Sequence, residues 1–202
     1  MMTRSSIKRI ALICLTLALL AGCSRTPRVA FYTLNATAAP EAATGALESV
    51  VIGQVTIPDL LDRPQFVVNL DANRVDFLEM QRWATPLKSE IPRVIAENLA
   101  ALLKPTRVSA YSQNSGLDAM YRVQIDIQRL EMAQGKGIAL DAFWSVRRSD
   151  GGPAKNGRTL VSEPVTVAGY EPLVAAQSRA LAVVSRDLAQ VLRDLAKPAD
   201  MK

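Results

Sequence analysis

Residues 121–148 read YRVQIDIQRLEMAQGKGIALDAFWSVRR. Tyr121, Val123, Ile125 and Ile127 alternate with Arg122, Gln124 and Asp126, the period of two that gives a strand one buried and one wet face. Ile138, Leu140, Ala142, Trp144 and Val146 alternate in the same way as far as Arg147. Between the two runs lies QGKG at 134–137, whose glycines tolerate positive φ, so the stretch predicts an antiparallel hairpin over Tyr121–Ile127 and Ile138–Arg147. A sheet built on that hairpin needs something to cover its apolar face.

Both neighbouring halves of the chain supply a cover. Downstream, SDGGPAKNG at 149–157 reads as a longer turn into a strand over Thr159–Val167. Its Lys155 is followed by Asn156, not by the serine or threonine that a phosphate-binding loop requires. A helix then runs from about Glu171 to Ala196, with Leu173, Ala180, Leu181, Val184, Leu188, Val191, Leu192 and Leu195 as its apolar stripe. Arg179, Arg186 and Arg193 recur every seven residues on the other side, as a solvated face or a partner surface. Upstream, Leu87, Ile91, Val94, Ile95, Leu99, Leu102 and Leu103 share a second helical face. Thr85 is the predicted N-cap, Pro86 the first helical residue and Pro105 the stop. Pro92 predicts a kink, or a helix proper that begins at Ser89.

Extended runs at Val29–Leu34, Glu48–Ile57, Gln65–Leu70 and Arg74–Met80 complete the reading, with a flexible loop at 36–46. Asp71-Ala72-Asn73 is a turn, since an EF-hand loop needs glycine where Asp76 stands. The predicted fold is mixed α/β: a largely antiparallel sheet of about five or six strands with two long helices packed on it.

The N-terminus places this domain in the cell. Arg4, Lys8 and Arg9 precede an apolar run from Ile10 to Leu20 that is too short to span a bilayer, which needs about 20 apolar residues. This is the layout of an export signal. Leu20-Ala21-Gly22-Cys23 resembles a bacterial lipobox, in which Cys23 takes a diacylglycerol on its sulfur and becomes the mature first residue. The expected organisation is a signal peptide at 1–22, an acylated anchor and short tether at 23–28, one domain at 29–196 and a tail at 197–202. The only other cysteine, Cys14, leaves with the signal, so no thiol remains for a disulfide or metal. The formal charge of +5 falls to +2 when Arg4, Lys8 and Arg9 are removed, an excess too small to argue for nucleic acid.

The chain contains no histidine, which removes the usual zinc ligand and every Ser-His-Asp or Cys-His arrangement. G-x-S-x-G is missing, and the only S-x-x-K, Ser5 to Lys8, lies in the signal. No catalytic residue, metal site or cofactor is expected.

Three blocks, VVIGQVTIPDLLDRPQFVV (50–68), RWATPLKSEIPRVIAENLAALL (82–103) and YEPLVAAQSRALAVVSRDLA (170–189), resemble the ABC-type transport auxiliary lipoprotein family of PqiC-like and YmbA-like proteins. The resemblance implies an outer-membrane lipoprotein, anchored by acyl chains and facing the periplasm. Its implied role is to serve an MCE-type intermembrane lipid transport system as a non-catalytic docking subunit that maintains envelope integrity. The implied partners are an MCE-domain transport protein, outer-membrane lipid through the anchor, and further copies in a homo-oligomeric ring. The alternative is a structural or assembly lipoprotein that binds another envelope protein without a part in lipid transport. Within the matched blocks, Asp62, Arg63, Arg82 and Trp83 are candidates for partner contact because they sit in turn or pre-helix positions. Asp62 and Arg63 read equally as a local ion pair, and Trp83 as a residue packed on the helix that follows it.

Overall fold

The computed structural model describes residues 28–41, 49–104, 106–110 and 119–197; the expected signal, Cys23, the tether up to Pro27, and Pro105 lie outside the described residues. The α/β class holds, with two helices and eight strands among the described residues. The strands divide between two sheets where one was expected. β2 (Ser49–Thr56), β5 (Arg107–Ala110), β6 (Tyr121–Ala133), β7 (Gly137–Arg148) and β8 (Lys155–Glu163) form a sheet in the order β5-β2-β6-β7-β8. β1 (Ala30–Tyr32), β3 (Gln65–Asp71) and β4 (Arg74–Trp83) form a second, in the order β1-β4-β3. β2 is parallel to both its neighbours, and β1 is parallel to β4; β3-β4, β6-β7 and β7-β8 are antiparallel.

The central hairpin is longer than its alternation predicted. Tyr121 pairs with Arg148 at one end and Ala133 with Gly137 at the other, but the register slips between Ile127 and Arg129. That slip reverses the parity, so Ile127 points inward and so do Leu130 and Met132. β8 likewise begins at Lys155, four residues before the predicted start, because Gly157 is a strand residue: it pairs with Trp144, and a Cβ there would meet the indole at 2.2 Å.

The first helix, α1, spans Leu87–Leu102 without a break at Pro92. Thr85 is not its cap. Pro86 takes that place in an extended conformation (φ −53°, ψ 134°), and its carbonyl accepts from the N–H of Ser89 at 2.9 Å and of Glu90 at 3.0 Å. Pro92 therefore removes one backbone bond, that to the Lys88 carbonyl, and the packing of α1 tolerates the loss. The second helix, α2, spans Glu171–Ala196, as the stripe predicted. α1 lies on α2 and over β2 and β5; α2 lies over β7 and β8. The core between them includes Ile52, Ile91, Ile95, Leu99, Ile127, Leu140, Leu181 and Leu188, all fully buried. The small sheet joins this core through Phe66, whose ring stands 4.8 Å from Tyr32, 4.4 Å from Trp83 and 6.1 Å from Tyr170.

Residues 33–41 have no regular structure, yet they are fastened across both helices. Leu34 is buried and its carbonyl accepts from Arg93 at 2.8 Å; Asn35 N–H donates to Ser178 Oγ at 3.2 Å. Asn98, wholly buried on α1, accepts the N–H groups of Thr37 and Ala38 on one oxygen, each at 2.9 Å. Arg193 does not belong to a solvated face: its guanidinium reaches Glu41 at 2.6 Å and the Leu102 carbonyl at 2.8 Å, tying α2 to α1 and to this strap. Asn98→Leu orphans two backbone donors, so a loss of about 2 kcal/mol is expected, read as a lower urea midpoint at constant slope. Amide exchange at Thr37 and Ala38 should quicken in the same variant. Unchanged protection there would mean that Asn98 does not hold the strap.

Candidate docking surface

Among the described residues no helix is long and apolar enough to cross a membrane, and no group of three or more acidic or cysteine side chains could hold a metal ion. The surfaces that remain to be read are those that could bind.

Both helices cover one face of the five-stranded sheet, so the opposite face carries the polar half of each alternation. Cross-strand pairing builds it in rows. Gln124, Ser145 and Asn156 make one row; Thr56, Asp126, Phe143 and Arg158 make the next; Asp141 and Leu160 share a third. Over the first two rows lies a groove of about 800 Å³, floored by β2, β6, β7 and the start of β8. The Thr56 hydroxyl donates to Asp126, and so does the Gln128 amide. At the groove's edge Arg158 grips Asp141 with two bonds, 2.9 and 2.7 Å, and lays its guanidinium 5.0 Å from the Phe143 ring centre. Hydrogen bonding from Arg158 holds the Asp141 carboxyl below its usual range. Amides, hydroxyls and one exposed aromatic ring suit a polar backbone or a polar side chain better than an acyl chain, which would strand those groups without partners.

The four candidates from the sequence lie elsewhere, about the small sheet. Asp62 is an ion-pair partner, though of Lys88 at 2.5 Å and not of Arg63. Arg63 donates Nε to the Leu60 carbonyl at 2.8 Å and stacks 4.1 Å from the centre of the half-exposed Phe77 ring. Arg82 donates Nε to the Glu79 carbonyl at 2.9 Å and meets the Glu79 carboxylate at 3.0 Å. Trp83 is buried, 5% exposed, against Phe66, and its backbone N–H donates to the Pro64 carbonyl at 2.7 Å. The structure thus gathers all four around the turn over residues 58–64: Trp83 pins that turn from beneath, and Asp62 and Arg63 stand on it. Cys23 lies outside the described residues. The groove escaped the sequence reading, although Arg122, Gln124 and Asp126 were its signal; their neighbours Ser145, Asn156 and Thr56 come from other strands.

A family model described as "ABC-type transport auxiliary lipoprotein component" matches residues 32–189. No curated protein sequence matches the chain. Among solved structures, that of an uncharacterized protein superposes with a TM-score of 0.68 at 16% identity, covering 82% of this chain and 99% of that one. A Xanthomonas campestris protein of the DUF330 family superposes with a TM-score of 0.65 at 15% identity, covering 81% and 95%. At such identities the likeness is one of fold. A PelC dodecamer from Paraburkholderia phytofirmans is a looser match, with a TM-score of 0.42 at 12% identity over 78% and 97% of the two chains, and its assembly says nothing of this one.

Proposed function

The chain belongs to the family of ABC-type transport auxiliary lipoprotein components, and on that premise we propose that it is the outer-membrane docking subunit of an MCE-type intermembrane lipid transport system. One observation carries the proposal: the family match covers nearly the whole described domain, directly behind a lipobox that would acylate Cys23. The subunit performs no chemistry; it holds an MCE-domain partner against the inner leaflet of the outer membrane and so supports the envelope's lipid barrier. Two or more anchored copies, gathered in a ring, bind such a partner by avidity. Asp62 and Arg63 on the turn are the proposed contacts, with Trp83 holding that turn in place and Arg82 beside it on β4, and the polar groove offers a second contact surface.

In-cell photocrosslinking tests this reading. A photoreactive residue in place of Arg63 or Ser145 is expected to capture an MCE-domain protein, identified by mass. Capture of an envelope protein with no part in lipid transport would replace the docking account with that of an assembly lipoprotein. Arg63→Glu is expected to weaken capture from the groove position while leaving the amount of protein and its membrane attachment unchanged.

A further inference from the structure

We propose that the outer face of the small sheet, Val29, Phe31 and Met80 beside Arg28 and Arg82, lies against the lipid headgroup layer of the membrane that holds the anchor. The proposal rests on the reading that Cys23 is acylated.

Phe31 is 65% exposed, more than any other phenylalanine ring among the described residues, while its neighbour Tyr32 is turned inward. Tyr32 fixes that direction twice, by its ring against Phe66 and by its hydroxyl, which donates to Gln81 at 2.7 Å. Register then dictates what stands beside Phe31. Ala30 pairs with Gln81 and Phe31 with Arg82, so Val29 precedes the one row as Met80 precedes the other. By alternation these four residues share the face that Ala30, Tyr32, Gln81 and Trp83 do not use. Val29 and Met80 are exposed like Phe31, and Arg82 is half-exposed. An apolar patch with its arginine held at the margin is the chemistry of a membrane interface, where aromatic rings enter the headgroup layer and guanidinium groups stay with the phosphates.

The chain's connectivity selects the lipid over other occupants. Four residues, Ser24–Pro27, separate Cys23 from Arg28, so at full extension Arg28 lies within about 18 Å of the acylated sulfur. The strand that bears Phe31 begins two residues later. No other part of the described domain is tied so closely to the bilayer. Glu79 already engages Arg82, so of the two cations beside the patch only Arg28 remains to meet phosphate, one charge beside three apolar side chains. Its attachment to lipid should therefore depend weakly on salt.

Quenching by brominated lipid tests the contact. The mature chain is joined at Cys23 to a maleimide lipid in vesicles of phosphatidylethanolamine and phosphatidylglycerol, which fixes the anchor by construction. Phe31→Trp is compared with Leu160→Trp, a similarly exposed position on β8 of the other sheet (60% exposed), over the background of Trp83 and Trp144. The tryptophan added at position 31 is expected to be quenched several-fold more than that at position 160, and to stay so in high salt. Equal quenching overturns the proposed face. Intact mass of the protein from cells separates the two failures: a native chain without acyl groups removes the premise, whereas an acylated chain with equal quenching refutes the surface alone.

Discussion

Gly137→Ala is expected to cost about 2–6 kcal/mol, a strained backbone contributing about 1–3 and overpacking a further 1–3, out of the 5–15 that a domain of this kind possesses. Gly137 has φ +117°, a conformation that L side chains rarely adopt. A Cβ there would stand 1.9 Å from the Glu163 carbonyl oxygen and 2.8 Å from the Pro164 Cα, both of them backbone atoms that cannot rotate away. The turn that holds Gly137 is docked on that segment, with Val165 N–H donating to the Lys136 carbonyl at 3.3 Å. Gly135, two residues earlier in the same turn, is the control. It too has positive φ, +71°, but a Cβ there meets nothing within 4 Å, so Gly135→Ala should lose only the strain, about 1 kcal/mol. Urea unfolding of the two variants gives the comparison. Equal losses would show that the clash is relieved by a movement the packing does not suggest.

The same pair of glycines marks how far the sequence could be read. Local pattern announced the turn, since QGKG separates two alternating runs, but which glycine is irreplaceable depends on Glu163, a strand away. Other departures have the same cause. The parity of β6 reverses at the slip between Ile127 and Arg129, and only the pairing with β7 reveals it. Gly157 punctuates a turn in sequence and accommodates Trp144 in space. The apolar stripe of α2 was legible to its ends, because burial of one helical face imposes its own period, whereas the role of Arg193 depended on where the ends of α1 and the strap would arrive. Asp62 and Arg63 were found as a polar pair on a turn, but their partners, Lys88 and Phe77, come from α1 and β4. The division into two sheets was illegible for a related reason: a strand's alternation states which face is buried and not which neighbour it pairs with.

The largest effect on function is expected from Cys23→Ser. On the proposed reading Cys23 is the acyl acceptor and cleavage before it follows acylation; a serine hydroxyl cannot replace the thiol, so the variant should accumulate as a precursor that retains residues 1–22. Intact mass would show this directly. The energetic consequence is large because lipidation contributes about 0.8 kcal/mol for each methylene buried, and a diacylglycerol brings two chains where one alone gives only marginal attachment. The described domain has no membrane-crossing helix to substitute for them, and a patch the size of Phe31 and its neighbours cannot. A second strain separates anchoring from folding: with a cleaved secretory signal in place of residues 1–22 and alanine at position 23, the domain should reach the periplasm folded, because neither a thiol nor a histidine holds it together. Envelope barrier function should still fail in that strain, since docking by several copies, as proposed, depends on the local concentration that the membrane imposes. A long flexible insert after Arg28 should produce an intermediate defect, with acylation and expression intact, as the domain is freed from the bilayer by degrees. Full barrier function with the unanchored domain would overturn the docking role, because position at the membrane is the one property the anchor adds.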